Sequence, residues 1–182
     1  MELHEAIEKR RTIRIFRQRA TEAQLRKLLA MGAKAPSTRN KQSWEFILLT
    51  DQRRVDQIAE LKYQYNRKFA PGPGETQQEV EERARNQQKW FKNASVVAVC
   101  TQGGDVASAW LAVENISLAA VAEGLGSGII GFGGAEKKAV ETLLELPAGY
   151  ELTCILKVGV PEGPVTKPPM RAEFSWLHTN TF

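Results

Sequence analysis

Chemistry in this chain is concentrated in two short segments. Arg10-Arg11-Thr12-Ile13-Arg14-Ile15-Phe16 gathers arginines and a hydroxyl where a basic stretch leaves a short helix. A guanidinium offers paired N–H donors in a fixed fork, the arrangement that matches phosphate oxygens. Ala35-Pro36-Ser37-Thr38-Arg39-Asn40-Lys41-Gln42-Ser43-Trp44 is a run of turn and amide residues ending on a large aromatic, just before an apolar strand. Together the two could hold a phosphate at one end and the polar edge of a flat heterocycle at the other. That combination points to a bound flavin. Taken singly, each residue has a plainer reading: Thr12 as a helix cap, Ser37 or Asn40 as turn formers, Trp44 as core.

The elements that must position these residues read as follows. Residues 2–10 form a short helix with Leu3, Ala6 and Ile7 on one side. Thr21 opens a second helix, and Gln24 three residues later completes a capping box. Its apolar face runs through Leu25, Leu28, Leu29 and Ala33, and Pro36 stops it. Trp44–Thr50 is a strand, and Asp51 caps a helix through Leu61. Residues 62–93 are less regular. Pro71-Gly72-Pro73-Gly74 breaks the chain, and Glu75–Phe91 reads as a polar helix with little apolar face. This lid-like excursion is either a cover over a pocket or a surface insert.

Ser95–Thr101 is a β-branched strand, and Asp105 caps a long helix to Ala122 whose alanines predict a central, well-buried position. Gly126–Phe132 is a glycine-rich strand, 135–146 a helix, and Tyr150–Val160 the last long strand. Prolines from Pro161 onward make 161–182 an extended tail. Helices and strands do not alternate cleanly and no linker divides the chain. The expectation is one α+β domain over 1–182, with a central, mostly antiparallel sheet flanked by helices.

Composition sets bounds. A 42% hydrophobic share and 25% charged residues describe an ordinary globular chain. No apolar run approaches the ~20 residues that span a bilayer, and the start lacks a secretory h-region, so a cytoplasmic location and no membrane partner are expected. Cys100 and Cys154 lie in apolar strand segments, where buried inert thiols are expected rather than a disulfide. His4 and His178 are far apart, so no metal cluster is expected. Lys9, Arg10, Arg11, Arg14, Arg17 and Arg19 form a run without an acid. It reads as a solvated face, a nucleic-acid arm or a small-ligand phosphate site. Ile13, Ile15 and Phe16 interrupt it at buried-looking intervals and no nucleic-acid motif accompanies it, which favours the last.

Gly126-Ser127-Gly128-Ile129-Ile130-Gly131 has the spacing of a dinucleotide fingerprint but follows a helix and enters a strand, the wrong context for one. Its glycines read instead as places where backbone approaches a flat ring.

The order of segments resembles the FMN-dependent nitroreductase family over nearly the whole chain. Arg10–Phe16 is similar to that family's Arg-Arg-Ser-x-Arg-x-Phe, and Ala35–Trp44 to its Ala-Pro-Ser-x-x-Asn-x-Gln-Pro-Trp. Glu114-Asn115-Ile116 through Gly124-Leu125-Gly126-Ser127 resembles its buried helix and glycine turn. Lys157-Val158-Gly159-Val160-Pro161 and the Pro169-x-Arg171 tail complete the order. Thr12 stands for the usual serine and Ser43 for the proline before Trp44; Pro169 stands where a lysine is frequent.

The resemblance implies an intertwined homodimer with exchanged tails and FMN at the interface. Arg10, Thr12 and Arg171 would hold the phosphate, with Lys167 a further candidate; Arg11 would also contact the cofactor, and Arg14 would lie toward the ribityl chain and the N1–C2 edge. Pro36, Ser37, Thr38 and Asn40 would come from the partner, and Gln87 or Asn86 would meet the pyrimidine edge. Ile130 and Gly131 amides would face N5. The implied reaction is ping-pong hydride transfer from NAD(P)H through the flavin to a nitroaromatic, quinone or similar small acceptor, with no catalytic side chain. Alternatives on the same fold are an oxidase, a dehalogenase, a flavin-destroying enzyme or a non-catalytic redox module.

Overall fold

A computed structural model describes residues 1–166 and 169–181. The chain runs α1 (Leu3–Lys9), β1 (Phe16–Arg19), α2 (Glu22–Gly32), a 3-10 turn (Thr38–Asn40), β2 (Trp44–Leu49), α3 (Gln52–Asn66) and α4 (Gln77–Lys89). Then follow β3 (Ser95–Gln102), α5 (Val106–Ala122), β4 (Gly126–Ile130), α6 (Gly134–Leu143) and β5 (Tyr150–Pro161). Every pairing between named strands is antiparallel, as expected.

β5 organises the sheet because both its edges are used. β3 pairs with Tyr150–Val158 on one edge, while β4 pairs with Ile155–Gly159 on the other. β1 continues the β3 edge at Gly159–Pro161, and β2 closes the sheet beyond β3. Strand alternation divides the core. Val97, Val99, Cys154, Leu156 and Val158 meet α2 and α5 on one face. Val96, Ala98, Cys100 and Ile155 meet α3 and α6 on the other. A bulge at Thr153 lets Leu152 share the Ile155 face.

The capping box at Thr21–Gln24 and the Asp51 cap form as the sequence predicts. α3 runs beyond Leu61 to Asn66, because α4 packs along it and covers Tyr63 and Asn66, while Lys62 is buried against the end of β4. The polar helix α4 does have an apolar stripe: Val80 and Ala84 are fully buried. A correction also applies to α5. Ala109, Ala112, Val113 and Ile116 are buried, but Ala107, Trp110 and Leu111 are exposed, so one protomer covers only part of this apolar helix. Both cysteines are free and buried, and burial pushes each thiol up to about 12. Among the described residues, no helix is long and apolar enough to cross a membrane.

Candidate active site

The segment Arg10–Ile15 crosses β4 as an extended strap. Thr12 forms a parallel bridge with Ser127, and the Ile13 N–H donates to the Ser127 carbonyl at 2.8 Å. Glycines make this crossing possible. A Cβ on Gly128 would stand 2.1 Å from the Ile13 carbonyl oxygen, and one on Gly126 would stand 2.4 Å from Ile13 Cγ1. The sequence pattern assigns these glycines to a flat ligand; the structure gives them to the chain's own strap. Gly131 differs: among the described residues, nothing would lie within 4 Å of a Cβ placed there.

Arg10, Arg11, Thr12 and Arg14 all line one cavity of about 690 Å³, together with Glu114 of α5, Pro161 and the first tail residues. Ile13 turns inward and is buried, while Ile15 stays exposed and lines the cavity beside the strap's polar members. Arg10 Nε lies 3.3 Å from the Glu114 carboxylate, and the Arg11 guanidinium donates to the Arg10 carbonyl. A phosphate fits such a wall: it brings two negative charges to several fork-shaped donors and a hydroxyl.

Arg14 is held from below. Its guanidinium lies 5.5 Å from the Trp90 ring centroid, at the end of α4. The buried Lys157 ammonium donates to the Arg14 carbonyl at 3.1 Å and to the Trp90 carbonyl at 2.9 Å. Gln87 lies one turn before Trp90 on α4, and its side-chain oxygen accepts from Asn66 of α3. Asn86 is exposed.

Pro36, Ser37, Thr38 and Asn40 gather elsewhere, around the N-terminus of α5. The Asp105 carboxylate accepts from Thr38 Oγ1 at 3.3 Å, Ser43 Oγ at 2.9 Å and Ser108 Oγ at 2.7 Å. These hydrogen bonds, Ser108 first and Ser43 next, hold the Asp105 carboxyl below its ordinary value. Ser37 Oγ accepts from the Gln42 N–H at 2.9 Å, and Asn40 Oδ1 accepts from the Gln42 amide. Arg39, Asn40 and Gln42 all adopt positive φ, near +50°. Left-handed conformations in bulky residues are uncommon and persist only where surroundings impose them. Asp105 and Glu114 lie nine residues apart along the chain, or about 13 Å of helix, so one protomer does not bring this loop to the Arg10 cavity.

The end of β4 forms a third group. Ile130 is buried and Gly131 exposed, and the Gly131 carbonyl accepts from Lys62 Nζ of α3 at 2.9 Å. That ammonium also sits 4.7 Å from the Tyr65 ring and 5.4 Å from Phe132. Burial pushes it down to about 8. In the tail, Arg171 follows Met170, which lines the cavity, but its own guanidinium donates to the Ser175 carbonyl at 3.2 Å. Lys167 falls outside the described residues.

Sequence reasoning missed Lys157 and Lys62 as supports, along with Trp90 and Glu114. For the first, a signal was present: a single charge inside Leu152-Thr153-Cys154-Ile155-Leu156-Lys157-Val158-Gly159-Val160.

The chain belongs to the nitroreductase family, whose model matches residues 7–160. It is 28% identical over 174 residues to iodotyrosine deiodinase of Thermotoga neapolitana, covering 92% of each chain. Its structure is similar to that of an oxidised iodotyrosine deiodinase bound to FMN and 3-iodo-L-tyrosine, with a TM-score of 0.82 at 27% identity and 100% of both chains covered. It is also similar to an FMN-dependent nitroreductase of Clostridium difficile, with a TM-score of 0.74 at 20% identity, covering 97% of this chain and 98% of that one. The last likeness concerns the fold alone.

Proposed function

We propose that this chain is an FMN-dependent oxidoreductase that works as a homodimer. The observation that carries the reading is the strap: Arg10, Arg11, Thr12 and Arg14 face one cavity from a segment pinned to β4. Arg10, Arg11 and Thr12 hold the phosphate, Glu114 sharing Arg10 with it, and Arg171 joins them. Arg14 stands toward the polar edge of the ring. When bound, FMN supplies a two-electron carrier that accepts hydride at N5 and passes it on. The chain's part is to place that ring, exclude water and stabilise negative charge at its N1–C2 edge, as fixed positive groups do in a dry site.

The second copy completes the site. Pro36, Ser37, Thr38 and Asn40 lie too far along α5 to reach their own Arg10 cavity, and a partner supplies them across the interface. Three features support this: Trp110 and Leu111 of α5 are exposed, Leu3 and Ile7 of α1 are exposed, and the tail displays Met170, Phe174, Trp176 and Leu177. Exposed apolar area on this scale marks an interaction surface. Ile130 and Gly131 serve the N5 side, while Gln87 on the α3–α4 hairpin serves the pyrimidine edge, the hairpin acting as the cover. Membership of the nitroreductase family supports NAD(P)H as donor and a nitroaromatic or quinone as acceptor.

A second reading, reductive dehalogenation of a halogenated phenol, is favoured by the likeness to iodotyrosine deiodinase over 92% of the chain. Anaerobic mixing distinguishes the two. NADH or NADPH should bleach the bound flavin, and menadione or a nitroaromatic should restore it. Release of iodide from 3-iodotyrosine by dithionite-reduced protein, with no bleaching by either nucleotide, selects the dehalogenase. Protein that takes up no FMN in excess refutes both.

A further inference from the structure

Lys157 sits in the middle of an apolar strand and is 1% exposed. Burying an ammonium is unfavourable unless its donors are matched. Here Nζ donates to the carbonyls of Arg14 and Trp90, at 3.1 and 2.9 Å. These are the two residues whose side chains stack on one another. The rings of Phe16, Trp90 and Phe91 lie 5.4, 5.5 and 5.8 Å from the same nitrogen. One ammonium thus ties together β5, the strap and the turn between α4 and β3. Packing alone does not call for a charge, since apolar replacements of buried charges are frequently neutral or stabilising.

We infer that Lys157 is a positioning residue of the flavin site: it fixes the Arg14 strap against the α4–β3 turn, and its buried positive charge strengthens that strap's hold on an anionic ligand. This rests on the flavin reading given above.

The consequence is a coupling between ligand and proton. Burial first, and the Arg14 charge second, push the Lys157 ammonium down to about 7. The groups facing it are Arg14 from the strap, Phe16 from β1, Trp90 and Phe91 from the turn, with Val96 of β3 and Gly128 of β4 as its strand partners. Lys89 and Lys92, which flank the turn, are exposed. The phosphate held on the same strap by Arg10, Arg11 and Thr12 offsets the repulsion between the two cations, so the complex binds a proton more tightly than the free protein does. Affinity then falls as pH rises above about 7, by linkage. The phosphate does not confuse this window, because its second ionisation lies near ~6.

The test is titration of FMN into full-length protein freed of flavin, read by fluorescence quenching at pH 7, 8 and 9. Wild type should weaken about threefold or more between pH 7 and 9. Lys157→Met should bind at least about tenfold more weakly, with no slope. Lys157→Arg keeps a charge that does not titrate, so it should bind tightly with no slope. A flat wild-type profile, or either variant following a sloping wild type, overturns the inference. If Lys157→Met does not fold, Lys157→Arg decides alone. If wild type binds no FMN at any pH, the flavin reading itself is refuted, and the inference with it.

Discussion

Gly128→Ala puts the strap geometry at risk directly. The added Cβ would lie 2.1 Å from the Ile13 carbonyl oxygen. The closest comfortable carbon–oxygen approaches are about 3.3–3.6 Å, so the strap or β4 must move by more than about 1 Å. Neither moves freely. Ile13 is tied to Ser127 through its N–H, its side chain is buried, and the next carbonyl along is held by Lys157. Overpacking of this kind costs about 1–3 kcal/mol, and contact with backbone belongs at the upper end. At about 3 kcal/mol the melting temperature of a chain this size falls by roughly 6–12 °C. Gly131→Ala is the matched control, since no described atom lies within 4 Å of its new Cβ. Its melting temperature should stay within about 2 °C of wild type, as for other unencumbered surface changes. Both variants are then titrated with FMN: Gly128→Ala loses affinity because the arginines are displaced with the strap. Calorimetric melts in which Gly128→Ala matches wild type, or in which Gly131→Ala falls equally far, would refute the reasoning.

Three further outcomes follow from other parts of the fold. Asp105→Asn should lower the unfolding midpoint, because one carboxylate caps α5 and holds Thr38 and Ser43. Its folded-state value is depressed, so the stability it contributes is complete above the ordinary 3.8 and lost as pH falls below it; acid melts of the variant should lack that component. Lys62 behaves in the opposite sense: its folded value near 8 lies below the ordinary 10.5, so the penalty is full below about 8 and is relieved as pH rises toward 10.5. Urea midpoints of wild type should therefore climb across that window relative to those of Lys62→Met. Deleting residues 164–182 removes the exposed Met170, Phe174, Trp176 and Leu177, and light scattering should then report one chain mass where the full chain gives two.

Local signals in the sequence were enough for most elements. The caps at Thr21, Asp51 and Asp105 rest on hydrogen bonds within three residues, and the apolar runs of β2, β3 and β5 need no partner to be recognised. The strap was legible as a phosphate wall because its residue types are visible. Its course was not, because the crossing over Gly126 and Gly128 joins positions more than a hundred residues apart. The end of α3 escapes for the same reason: Tyr63 and Asn66 become interior only when α4 lies along them, and Lys62 only when the end of β4 does. On α5 the alanines suggest burial all round, yet Trp110 and Leu111 face outward, a surface that one chain's sequence cannot assign to either solvent or a second copy.

Lys157 shows most clearly why charge at a site can escape a reading by residue type. A lysine normally reaches solvent by extending its stem along an apolar surface. On an edge strand that escape would be open. At position 157 it is closed, because β3 and β4 occupy both edges of β5 and Phe16, Trp90 and Phe91 surround the ammonium. The charge must therefore find its partners inside, and those available are backbone carbonyls of the strap and of the α4–β3 turn. A motif search assigns chemistry to the arginines, whose side chains line an open cavity. Topology alone makes the lysine behind them their support, so its role can be recognised only after the register of β5 is known.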